Sequence, residues 1–188
     1  AGPKIRVDLS NIGNEELDIK KNHVYNLGFS KMNDIPINMD IKFNNSVDLN
    51  AFVKIDDGNV SFKVLGIRNN VIKLKSMQSA IVKSNKGINF PGVILKVPSI
   101  TPKDQEDIKL GIKLDIDWFA LSFVRSSNDI KLFKEILVDK KKNIPIIAKI
   151  EKPEAIQNLS GIIEEFDGIL IARGDLGVEM PLSQLPVL

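Results

Sequence analysis

The chain has no cysteine among its 188 residues, which excludes disulfides and thiolate metal sites. It has a single histidine, His23, so no histidine pair can share a metal. Neither sign of charge dominates. Lysine and arginine number 26 against 24 aspartates and glutamates, a net charge of +2, and nothing in that balance argues for a nucleic-acid partner. The longest basic run, Lys140-Lys141-Lys142, follows a helical pattern and suits a helix C-terminus. No apolar stretch reaches membrane-spanning length, and no apolar run preceded by basic residues opens the chain. A cytoplasmic protein is the default expectation. What remains is ordinary globular composition, 43% hydrophobic and 27% charged.

Two textures divide the chain. From about Asp8 to Leu95 it reads as short strands and turns. Asn22–Gly28, Ile37–Phe43, Ala51–Ile55, Asn59–Leu65 and Val71–Lys75 are brief β-rich runs. Asp57-Gly58 and Asn69-Asn70 fall between such runs as hairpin turns. The expectation is a small antiparallel β domain, barrel-like.

From about Val97 onward, helices and strands alternate. Thr101-Pro102-Lys103-Asp104 supplies an N-cap, a first-turn proline and an acidic N3 residue. Trp118 to Phe123 reads as a buried strand, and Ser127 as the cap of a helix with an Ile130, Phe133, Leu137 stripe. Ile144 to Ile150 is the next strand, Lys152-Pro153-Glu154 starts the next helix, and Ile169 to Ala172 is a further strand. This spacing predicts parallel strands with right-handed crossovers.

The chemistry concentrates at two strand ends. Lys149 and Glu151 stand two apart on Ile146–Glu151 and so share a strand face. Arg173-Gly174-Asp175 follows Ile169–Ala172 at a strand-to-helix turn. A cation, two carboxylates and glycine-exposed backbone at one end of a sheet suit a divalent metal and an anionic, oxygen-rich substrate. Taken singly, Lys149 and Glu151 could be a structural ion pair and Arg173–Asp175 a solvated turn. Together, one βα unit apart, they point to a site. Trp118 and Phe123 read as core residues, and Ser122 lies near the site without an assigned role.

These segments resemble the central signature of pyruvate kinase. Gly2-Pro3-Lys4-Ile5-Arg6, Ile55-Asp56-Asp57-Gly58, Lys86-Gly87-Ile88-Asn89-Phe90-Pro91-Gly92 and Leu121-Ser122-Phe123-Val124-Arg125 resemble further motifs of that family, in its order. The resemblance implies α/β plus all-β architecture: part of a (β/α)₈ TIM barrel with an inserted small antiparallel β-barrel lid. The domains would be a leading barrel strand over 1–7, the lid over 8–95 and a partial catalytic domain over 96–188. The leading strand and the three after the lid fall short of the eight strands and about 250 residues of a closed barrel. The expectation is therefore a piece of a longer protein, inactive by itself.

The implied reaction is phosphoryl transfer from phosphoenolpyruvate to ADP. By resemblance Lys149 is catalytic, and Glu151 and Asp175 hold Mg²⁺ or Mn²⁺. The backbone of Ala172, Arg173, Gly174 and Asp175 takes the substrate carboxylate, and Asp57 on the lid faces nucleotide. K⁺ is implied for the full-length protein, whose usual ligands for it are absent here, and so is a homotetramer. No nucleic-acid or membrane partner is implied. Lys4 stands where the family has an acidic residue, and Val7 where threonine is usual. Two other readings stay open: a metal-dependent lyase or aldolase of the pyruvate-binding barrels, which generally lack such a β domain, and a non-catalytic binding fragment.

Overall fold

A computed structural model describes residues 4–10, 13–43, 46–95, 97–139, 143–181 and 183–184. The basic run 140–142 and the end of the chain, 185–188, lie outside them, as do Gly2 and Pro3. The architecture is mixed α/β. It divides between Val97 and Pro98 into two units, each with its own apolar core. No helix among the described residues is long and apolar enough to cross a membrane.

Tight turns built on asparagine and aspartate shape the first unit. Asn22, Asn50, Asp56, Asp57, Asn69, Asn70 and Asn85 all have left-handed backbone, which their short polar side chains tolerate. The strands are β1 (Glu16–Ile19), β2 (Val24–Gly28), β3 (Ile35–Pro36), β4 (Phe52–Ile55), β5 (Val60–Arg68), β6 (Val71–Ser76), β7 (Ala80–Lys83) and β8 (Ile88–Asn89). One sheet runs β3-β2-β6-β5-β4-β8, antiparallel except for β2 with β3, and β1 pairs with β7 separately. Strand alternation sends Val60, Phe62 and Val64 of β5, and Ile72 and Leu74 of β6, into one core. Phe62 stacks edge-on against Tyr25, with ring centroids 6.1 Å apart.

The segment Ile5–Asp8 joins the two edges of this sheet. On one side Val7 N–H donates to the Lys86 carbonyl and Ile88 N–H to the Ile5 carbonyl, both at 2.9 Å. On the other, Asp8 N–H donates to Pro36 O at 2.9 Å and Asn38 N–H to Arg6 O at 3.0 Å. Ile5 and Val7 are buried in the β core. Residues 1–7 were expected to lead the α/β part; from Lys4 on they group with the β unit, because both faces of this backbone find partners there.

Ile37–Phe43 is not a strand beyond its first residue, although its alternation is faithful: Ile37, Ile41 and Phe43 are all buried. The Asn70 side chain takes the place of a neighbouring strand. Its amide donates to Ile41 O at 2.5 Å, and its oxygen accepts from Phe43 N–H at 2.6 Å.

The second unit comprises α1 (Pro102–Lys113), β9 (Phe119–Leu121), a 3₁₀ turn (Ser127–Ile130), α2 (Lys131–Asp139), β10 (Ile146–Ile150), α3 (Pro153–Gln157), α4 (Leu159–Glu165), β11 (Gly168–Ile171) and α5 (Arg173–Glu179). The strands are parallel in the order β11-β10-β9. Thr101 and Asp104 close a reciprocal capping box on α1. Gly111 lets α1 approach β9, since a Cβ there would lie 2.8 Å from the Phe119 ring. Trp118 was expected in the core but is 52% exposed. Phe119 takes that place instead, edge-on to Phe133 at 4.9 Å, and the strand is shorter than Trp118–Phe123. Ile130, Phe133 and Leu137 form the expected buried stripe, but the N-cap is Ser126 rather than Ser127.

Candidate functional site

The C-terminal ends of β9, β10 and β11 carry the residues singled out from the sequence. Register places them side by side: Ala148 lies opposite Leu121 on one side, and Ile150 opposite Ile171 on the other. Each strand therefore ends next to its neighbour's functional loop. Ala172 N–H extends the ladder by one bond, donating to Ile150 O at 3.0 Å.

Lys149 and Glu151 make a direct ion pair through Nζ and Oε1. The Glu151 side chain is 2% exposed and that of Lys149 is 28% exposed. A carboxylate removed from water this fully requires compensation, and Glu151 has it on both oxygens. Its Oε2 accepts from Phe123 N–H at 3.0 Å. Lys149 Nζ also stands 3.4 Å from Ser122 Oγ, which gives Ser122 a place in the site.

Phe123 reaches Glu151 through an unusual backbone. Nine non-glycine residues among those described have left-handed φ, and eight are asparagine or aspartate. The ninth is Phe123, at φ 57°. A bulky side chain there costs about 1–3 kcal/mol, and such outliers gather where surrounding structure holds them for use. Phe123 was read from the sequence as core; it is half-buried, and its amide is the part that serves the site. Asp129 anchors the following turn by accepting from Arg125 N–H at 2.7 Å and Ser126 N–H at 3.0 Å. Asn158 donates to Arg125 O at 2.9 Å from the joint between α3 and α4.

Asp175 lies half-buried in the first turn of α5, while Arg173 and Gly174 are exposed beside it. A Cβ added at Gly174 would meet no atom within 4 Å, so the space over this backbone is open. Ala172 immediately precedes the helix. Among the described residues no group of three or more His, Cys, Asp or Glu side chains is disposed to hold a metal. Glu151 and Asp175 offer hard oxygen donors, and a carboxylate has lone pairs beyond those used by one ammonium and one amide. That donor set fits a Mg²⁺- or Mn²⁺-like ion completing its shell with water and substrate oxygens.

Glu179 was not foreseen. It is a buried carboxylate paired with Lys152, and its signal was its spacing, one helical turn after Asp175.

Asp57 belongs to the β unit. Its side chain is 72% exposed and stands 3.8 Å from Lys4 Nζ. The neighbouring Asp56 is more firmly held, 2.6 Å from Lys86. Hydrogen bonds from Lys86 first and Asn59 second hold the Asp56 carboxyl below the usual carboxylate range, and Asp56 raises Lys86 in turn. A depressed acid stabilises the fold above its unfolded pKa and loses that contribution as pH falls through its folded value. Asp56→Asn keeps a residue that tolerates left-handed φ. It is therefore expected to flatten the acid side of stability, read as urea midpoints between about pH 5 and 2. The raised Lys86 works at the opposite end, its share being lost only as pH rises through its folded value.

A family model described as pyruvate kinase, barrel domain, matches residues 1–188. The chain is 41% identical over 133 residues to the pyruvate kinase of Corynebacterium efficiens, a match covering 71% of this chain and 28% of that protein. It is 34% identical over 191 residues to the pyruvate kinase of Staphylococcus aureus, covering 99% of this chain and 32% of that protein. The chain thus spans about a third or less of the length of the curated relatives it matches. With a match that runs its whole length, the chain belongs to the pyruvate kinase family.

Proposed function

We propose that this chain supplies part of the catalytic apparatus of a pyruvate kinase, which transfers a phosphoryl group from phosphoenolpyruvate to ADP in cytoplasmic glycolysis. The single observation that carries the proposal is the Lys149–Glu151 pair at the end of β10, with Glu151 buried and held by the Phe123 amide. Such transfers need little covalent chemistry from the protein and depend on positioning and on charge aimed at the developing anions.

Lys149 is the cation that would face the transferring phosphoryl group and the enolate oxygen. Its ammonium is a compact point charge, suited to that use. Glu151 and Asp175 would hold Mg²⁺ or Mn²⁺. The metal, when bound, polarises and orients substrate oxygens. The backbone of Ala172 to Asp175 would receive the substrate carboxylate, a role favoured by the open space over Gly174. Arg173 would serve through its backbone and as a structural residue. Asp57 is proposed to approach nucleotide from the β unit, which its exposure permits.

In the whole protein the α/β unit would be one part of a (β/α)₈ barrel and the β unit its inserted lid. The apolar residues Ile169, Leu170 and Ile171 of β11 are exposed here and would be covered by the rest of that barrel. K⁺ and a homotetramer belong to the same proposal. The β unit is the feature that separates it from a lyase or aldolase on a related barrel.

Calorimetric titration of Mn²⁺ tests the assignment. One-site binding that Glu151→Gln and Asp175→Asn each abolish is the expected result. Binding indifferent to both substitutions would overturn it.

A further inference from the structure

The buried pair between Lys152 and Glu179 has a geometry that bears on the two metal-ligand candidates. Lys152 Nζ stands 2.5 Å from Glu179 Oε1, with the carboxylate side chain 3% exposed and the lysine side chain 25% exposed. Lys152 directly follows Glu151 and caps α3. Glu179 ends α5, four residues after Asp175. Residues i and i+4 share one helix face. Whatever turns Glu179 toward the end of β10 therefore turns Asp175 the same way.

Two of the contacts of α5 bear on how it meets the end of β10. The bond from Ala172 N–H to Ile150 O sets where the helix starts. The Lys152–Glu179 pair sets its rotation, at the far end of a seven-residue helix. Leu176, fully buried, would hold α5 against the core by itself. A buried ion pair is seldom a better source of stability than apolar side chains of similar volume, and its best-attested use is to impose one register.

Resting on the assignment of Glu151 and Asp175 as metal ligands, we infer that Lys152 and Glu179 form a positioning strut. The strut sets the separation of those two carboxylates and so governs divalent-cation affinity. Neither strut residue is among the proposed substrate or metal contacts.

The test measures Mn²⁺ affinity by the electron paramagnetic resonance signal of free Mn²⁺, alongside the melting temperature of each metal-free protein. Glu179→Gln is expected to weaken Mn²⁺ binding about 10- to 100-fold, the usual cost of losing an outer-shell support. Glu179→Asp keeps the charge and shortens the reach; a smaller loss of affinity with a near-normal melting temperature is expected. The informative variant is Lys152→Met with Glu179→Leu, which refills the space without charge. Its melting temperature is expected to match or exceed the parent, while its Mn²⁺ affinity stays low. A purely structural pair would give the reverse, with affinity recovering as stability does. Parental affinity in both Glu179→Asp and the double variant overturns the strut. Glu151→Gln and Asp175→Asn are measured in parallel. If they abolish binding while the strut variants bind normally, only the strut fails. If they too bind normally, the ligand assignment fails and takes the strut with it.

Discussion

In the whole protein that contains this chain, Lys149→Met is expected to lower turnover by about 10²- to 10³-fold while Mn²⁺ still binds, the usual scale for removing one group aimed at transition-state charge. Methionine keeps much of the length and apolar stem of lysine and deletes only the charge. In the metal-free protein the same change leaves Glu151 buried without its cation. Removing one partner of a buried pair costs about 3–5 kcal/mol. The low end applies here, because the Phe123 amide remains and Lys149 is 28% exposed. A divalent ion would restore the missing positive charge. Mn²⁺ should therefore raise the melting temperature of Lys149→Met more than that of the parent, through its binding to the folded state alone. Glu151→Gln should show no such rise. Steady-state kinetics and paired melting curves check both halves. Unchanged turnover in Lys149→Met would remove the lysine from the proposed chemistry.

Phe62→Ala is the second large effect. Phe62 is fully buried on β5 and packs edge-on against Tyr25. Truncating a buried phenylalanine costs about 3–5 kcal/mol, since transfer energy is lost and a cavity remains. The aromatic pair adds to that loss by about 0.5–1.5 kcal/mol. The two units have separate cores, so the destabilisation should fall on the β unit. Calorimetric unfolding is expected to show the transition of that unit moving down. Mn²⁺ binding at Glu151 and Asp175 should survive above that lowered transition, while the other unit is still folded. A single transition that carries metal binding down with it would instead mean that the units unfold together.

Much of the α/β unit was legible because its signals are local. Thr101, Pro102 and Asp104 start a helix by rules that operate within one turn, and Ile130, Phe133 and Leu137 mark its neighbour's buried stripe. Lys149 and Glu151 were predictable as a pair because their strand puts alternate residues on one face. The β unit hid more, because its pairings are distant in sequence. Glu16–Ile19 and Ala80–Lys83 are short and become strands only by finding each other. Ile37–Phe43 alternates like a strand, yet its backbone is satisfied by the Asn70 side chain, which no local pattern announces. Phe123 and Glu179 were missed for a related reason. Neither a left-handed phenylalanine nor a buried carboxylate on a polar-looking helix follows from residue type. Both depend on what surrounds them.

The segment Ile5–Asp8 has a consequence for the order in which the β unit can be completed. It is synthesised before every strand it joins. Its contact with Asn38 spans 32 residues, and that of Arg6 with Asn85 spans 79. On the ribosome the edge that bonds to Lys86 and Ile88 must stay unpaired until the Asn85–Ile88 stretch has emerged, whatever its other edge has formed with Pro36 and Asn38. Closing a loop that long is slow compared with forming the hairpins between. An arrested nascent chain whose emerged part stops shortly before Asn85 should therefore carry the β4–β5 and β5–β6 hairpins with its N-terminal segment still open to protease.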